Sequence, residues 1–100
     1  VGSTSGLGGG AGATIYSASK FALRGMTQCW QAELRKHNVR VVLLNPSEVA
    51  TAFGSKDRKE KSAPPNKLTS MEIAYTIKAV LEMEDRGFIP EFSVWATNPF

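Results

Sequence analysis

Val41-Val42-Leu43-Leu44, closed by Asn45-Pro46, is a short unbroken apolar run halted by a proline. Four apolar residues in succession leave no polar face for solvent, the pattern of a parallel strand covered on both sides. Upstream, Tyr16 to His37 reads as a helix, with small or apolar residues at Ala18, Phe21, Ala22, Gly25, Met26, Cys29 and Trp30. Those steps of three and four make a broad apolar stripe; if one side of it covers the sheet, the remainder, including Trp30, is free to pack against a partner. Asn38 suits the left-handed conformation that ends a helix. Downstream, Thr69-Ser70-Met71-Glu72 is a capping box. It opens a second helix running to Glu84, with Ile73, Ile77, Val80 and Leu81 as the inner face and Gly87 as its end. Phe88 to Trp95 reads as a last strand, bent or set at an edge by Pro90.

At the front, Val1-Gly2-Ser3 reads as the tail of a strand already under way, and Thr4 to Gly12 as a glycine-rich loop. Strand end, helix, strand, helix, strand is the order of an α/β layer fold with a parallel sheet. Residues 1–100 are accordingly read as a piece of one such domain. Ser47 to Lys67 forms a long polar connection containing Pro64-Pro65, and loops of that length commonly serve as lids.

Composition excludes several classes. With 42% hydrophobic and 21% charged residues, the chain is neither disordered nor fibrous. The net charge of +3 comes largely from Lys56, Arg58, Lys59 and Lys61, which alternate with Asp57 and Glu60. That is a solvated loop, not the basic face with interleaved aromatics of a nucleic-acid binder. The single cysteine, Cys29, forms no internal disulfide and fits a reducing compartment such as the cytoplasm. It is expected as a small buried hydrophobe on the first helix. No apolar run approaches the roughly 20 residues of a membrane span, and no Cys/His cluster has metal-ligand spacing. His37, the only histidine, suits an exposed helix end.

Chemistry concentrates near the front. Tyr16 and Lys20 lie four apart on one helix and share a face. A phenol ionises near pH 10 in water, so proton transfer near neutrality asks for roughly 4 kcal/mol of help. One ammonium at about 4 Å supplies a contribution of that order at an effective dielectric near 20, and a helix N-terminus favours the phenolate as well. Tyrosine four before lysine is a common pair by itself; Ser3 changes its meaning. It sits thirteen residues earlier, at the carboxyl end of a strand, where parallel α/β sheets face their ligands. A hydroxyl there can donate to a substrate carbonyl while the helix brings the phenol beside it. Ser5 is a weaker rival for that role.

Ser3 followed by Tyr16-Ser17-Ala18-Ser19-Lys20 and Phe21-Ala22-Leu23-Arg24-Gly25 resembles the active-site segment of the short-chain dehydrogenases/reductases. Val39-Arg40-Val41, then Asn45-Pro46 and Val49-Ala50-Thr51, is similar to that family's strand ending in a Pro-Gly-x-Val-x-Thr cofactor loop. The 3-oxoacyl-carrier-protein reductases share these motifs, as do generic members. The resemblance implies a doubly wound Rossmann-type sheet and an NAD(P)-dependent oxidoreductase interconverting a carbonyl and an alcohol. NADP or NAD is the implied cofactor, with NADP favoured. Tyr16 would be the general acid/base, Lys20 its cationic neighbour and a ligand of the nicotinamide ribose, and Ser3 the group that orients the substrate oxygen. Pro46, Ser47, Val49 and Thr51 would line the nicotinamide side with them. Ser47 stands where the family has glycine, which makes the backbone there less permissive.

The resemblance also implies that the pyrophosphate loop and a further catalytic asparagine belong to a preceding half. The partners would be a small carbonyl or alcohol substrate, and a second copy packed through the helix at 16–37. The alternative is a family member that binds nucleotide as a regulatory or scaffold protein without turnover. Gly2-Ser3-Thr4-Ser5-Gly6-Leu7-Gly8 imitates the missing phosphate loop. However, Gly9, Gly10 and Gly12 follow it, and a phosphate loop leads straight into a helix.

Overall fold

The apolar run forms the middle of the sheet. In the computed structural model, which describes residues 1–53, 55–59 and 64–100, β1 spans Leu43–Pro46 and β2 spans Glu91–Val94. They pair in parallel, with Leu43 opposite Glu91 and Pro46 opposite Val94. On the other edge of β1, Gly2 N–H donates to Leu44 O at 2.7 Å, so Val1–Ser3 runs beside it as the expected strand end. Flanked on both sides, Leu43, Leu44 and Asn45 are the buried centre. The strand begins two residues later than the apolar run and includes Pro46. Having no N–H, proline cannot donate to the ladder; Ser47 N–H donates to Val94 O instead, at 2.9 Å.

The first helix, α1, spans Thr14–Leu34 and tightens into a 3-10 turn at Arg35–His37. Asn38, at φ 61°, ends it in the left-handed region, where asparagine is better tolerated than most residues. The stripe lies on the side of α1 turned away from the sheet, the side expected to be free for a partner. Ala18, Phe21, Ala22, Gly25, Met26, Cys29 and Trp30 are all exposed. The side turned to the sheet carries Ser17, Arg24, Thr27 and Gln31, with Leu23 and Leu34 half-buried. Periodicity reveals that a stripe exists, not which layer it meets. The sheet meets the polar side because that side makes directional bonds: Gln31 Nε2 donates to Val41 O at 2.9 Å and Pro90 O at 2.8 Å. Cys29 is therefore an exposed free thiol, contrary to expectation. His37 is exposed at the helix end.

The second helix, α2, spans Ser70–Leu81. Its capping box is formed: Thr69 N–H donates to Glu72 Oε2 at 2.7 Å, and the Thr69 hydroxyl donates to the same oxygen. Ile73 and Val80 face inward as expected, whereas Ile77 and Leu81 are exposed. The helix stops three residues short of Glu84 because Arg40 gathers its end. The guanidinium donates to Leu81 O, Met83 O and Gly87 O at 3.4, 3.1 and 3.3 Å. Between β1 and α2, Val49 bridges Leu68 and Ala50 N–H donates to Leu68 O at 2.9 Å. Glu60 and Lys61 of the charge run lie outside the described residues.

Thr69→Ala should cost about 0.5–2 kcal/mol, the usual worth of an N-cap, measured as a lower urea midpoint. The bonds from Thr69 hold the Glu72 carboxyl below the usual carboxylate range. Folding therefore favours the ionised form. The associated stability is complete above the unfolded value of about 4.3 and is lost as pH falls through the lower folded value.

Candidate active site

Ser3 is placed by the turn it starts. Its Oγ accepts from Ser5 N–H at 3.1 Å, and Gly6 N–H donates to Ser3 O at 2.9 Å, closing a 3-10 turn over Thr4–Gly6. A hydroxyl that accepts from the backbone still has its own proton to donate. The turn is pressed onto α1 at Gly6, where a Cβ would stand 2.9 Å from Lys20 O. This close approach brings Ser3, itself buried, to the level of Lys20. Gly12, at φ 77°, and the bond from Ala13 N–H to Gly10 O then turn the chain into the helix.

Tyr16 lies in the first turn of α1. Lys20, one turn on, places Nζ 5.6 Å from the centroid of the tyrosine ring. Phe53 approaches the same ring, with centroids 6.1 Å apart and planes tilted by 49°. Among the described residues no carboxylate forms an ion pair with Lys20; Glu48, the acid lining the same space, pairs with Lys67 at 3.3 Å.

These elements enclose a cleft of about 1120 Å³ at the carboxyl end of β1. Ser3, Tyr16, Lys20, Pro46, Ser47, Val49 and Thr51 all line it. Ser5, the rival hydroxyl, lines it too, but its N–H serves to hold Ser3. Ser47 is not among the residues with positive φ, so the serine is accommodated without left-handed strain. Thr51 Oγ1 accepts from Phe53 N–H at 3.2 Å and fixes the loop that carries the aromatic ring. Among the described residues no group of His, Cys, Asp or Glu could hold a metal, and no helix is long and apolar enough to cross a membrane.

Gly6 is one loop glycine among many in the sequence, and only its approach to Lys20 distinguishes it. Phe53, with Val49, is legible there as an apolar residue of the long loop that hints at a nonpolar ligand.

The profile of the family described as short chain dehydrogenase matches residues 1–62. The chain belongs to the short-chain dehydrogenase family. Over 96 residues it is 30% identical to an oxidoreductase of Sarocladium schorii, covering 89% of the chain and 39% of that relative. It is 32% identical over 96 residues to the (3R)-3-hydroxyacyl-CoA dehydrogenase of Homo sapiens, covering 90% and 37%. The chain thus spans about two-fifths of the length of these short-chain dehydrogenase relatives. An alcohol dehydrogenase from the archaeon Thermococcus sibiricus, complexed with 5-hydroxy-NADP, superposes with a TM-score of 0.83 at 24% identity, covering 95% of the chain and 39% of that protein. The closed form of a serine dehydrogenase complexed with NADP+ gives 0.77 at 23%, covering 93% and 41%. The fold is that of a Rossmann-type α/β sheet in part.

Proposed function

We propose that this chain is the C-terminal portion, residues 1–100, of a single NAD(P)-binding domain that interconverts a carbonyl and an alcohol. The observation that carries the proposal is the meeting of Ser3, Tyr16 and Lys20 in one cleft with the Pro46–Thr51 loop. Its position suits a dinucleotide, because ligands of parallel sheets bind at the carboxyl ends of strands. Pro46 and Val49 offer apolar surface to a flat ring, and Lys20 is a cation with no described carboxylate partner. NADP is favoured over NAD, supported by the ligands named for the two solved structures. When bound, the dinucleotide supplies or accepts hydride at the substrate carbon.

The protein's own part is the proton and the geometry. Tyr16 donates its phenolic proton to the carbonyl oxygen in reduction and removes it in oxidation. Lys20 stabilises the phenolate and hydrogen-bonds the ribose, and Ser3 donates to the same substrate oxygen. The reaction belongs in the cytoplasm, where a lone thiol such as Cys29 stays reduced. The exposed Phe21, Met26 and Trp30 on α1 support assembly with a second copy through that helix.

The test is nicotinamide-linked turnover of secondary alcohols and ketones by the full-length protein, with and without the Tyr16 hydroxyl. A regulatory or scaffold protein would bind dinucleotide and turn over nothing. Residues 1–100 alone should be inactive, because the pyrophosphate loop is proposed to lie in the preceding half. Measurable turnover by this segment in isolation would contradict that division.

A further inference from the structure

The row Tyr16, Lys20 continues by the same step of four to Arg24. Arg24 does not point to solvent. Its Nε and Nη2 donate to Glu91 Oε1 and Oε2 at 2.7 and 3.0 Å, a two-pronged pair with both side chains only about a third exposed. Glu91 is the first residue of β2 and lies opposite Leu43 of β1. The Glu91 carboxyl is held below the usual range by the Arg24 guanidinium. Asn45 is almost wholly buried, and its Nδ2 stops short of hydrogen-bond geometry with any partner. Its Oδ1 presses on Gly2, where a Cβ would lie 2.6 Å away. The Arg24–Glu91 pair thus ties the helix of Tyr16 and Lys20 to the last strand, while Asn45 packs against the residue before Ser3.

Resting on the proposed function, we infer that Arg24 and Glu91 are positioning residues that set the rotation of α1 on the sheet and thereby the aim of the Tyr16 hydroxyl. The sheet-facing side of α1 carries Ser17, Arg24, Thr27 and Gln31. Thr27 spends its hydroxyl on Leu23 O of its own helix. Gln31 fastens the far end to Val41 and Pro90. Arg24 is the side-chain bond to the sheet nearer to Tyr16, and a forked pair fixes angle as well as distance. Side-chain tips lie about 5–6 Å from a helix axis, so a rotation of about 10° moves one by about 1 Å. A displacement of that size can cost about 10²-fold in rate. An ordinary exposed ion pair, by contrast, affects stability slightly and rate not at all.

Arg24→Lys, which keeps the charge but not the fork, and Glu91→Gln, which keeps the shape but not the charge, separate the two roles in the full-length enzyme. Each should lower kcat about 10-fold, within the range expected for misplacement, with the KM for dinucleotide unchanged. The double variant should be no slower than either single, because both remove one shared interaction. Unchanged kcat with only a lower melting midpoint would overturn the inference, as would losses that multiply in the double variant. Failure of the proposed function would be seen separately, as undiminished turnover in Tyr16→Phe.

Discussion

Tyr16→Phe is expected to lower kcat by about 10²–10⁴-fold, the usual contribution of a positioned acid/base. The substitution is unusually clean at this position. The ring remains, and with it the approach of Lys20 Nζ at 5.6 Å and the tilted contact with Phe53 at 6.1 Å. The bond from the Ser19 hydroxyl to Tyr16 O at 2.7 Å involves only backbone at position 16 and also remains. What disappears is the one hydroxyl proposed to exchange a proton with the substrate oxygen. Dinucleotide affinity should change little, measured by fluorescence titration alongside turnover. Retained turnover would sink the acid/base role, whereas binding without turnover in the unsubstituted protein would favour the scaffold alternative.

Gly6→Ala should be the most damaging small substitution in the loop. The added methyl would meet Lys20 O at 2.9 Å, Lys20 C at 3.1 Å and Lys20 Cβ at 3.3 Å. Two of those atoms are helix backbone and cannot rotate aside, so the turn carrying Ser3 must lift from α1. Overpacking of this kind costs about 1–3 kcal/mol. Because the lift separates Ser3 from Tyr16, kcat should fall beyond what the lost stability explains when assayed well below the melting range. Gly8→Ala is the matched control: no atom lies within 4 Å of a Cβ there, so stability and rate should both hold. Equal behaviour of the two variants would show that the contact at Lys20 does not position Ser3.

Much of this arrangement was legible because it is local. Val41–Leu44 announced the buried strand, Thr69 and Glu72 the start of α2, and Asn38 the end of α1, each through chemistry within a few residues. The seven expected site residues converge because strand ends and helix starts in parallel sheets converge. What escaped reading was long-range or directional. Arg24 and Glu91 are 67 residues apart, and nothing in either neighbourhood advertises the other. Arg40 gathers the end of α2 from 41 to 47 residues away, a contact that no local pattern announces. Hydrophobic periodicity locates the apolar stripe of α1 but does not say that the sheet meets the opposite side, through Arg24 and Gln31. Cys29, expected buried, lies exposed on that stripe.

The polar seat of α1 bears on how such proteins diversify. An interdigitated apolar seam must be redesigned as a whole when one member changes size. Two fastenings, at Arg24 and Gln31, can be retouched one at a time, re-aiming the helix by a fraction of an ångström while the strands stay put. Selection for new substrates then has a fine adjustment at its disposal that leaves the buried strand residues Leu43 and Leu44 untouched.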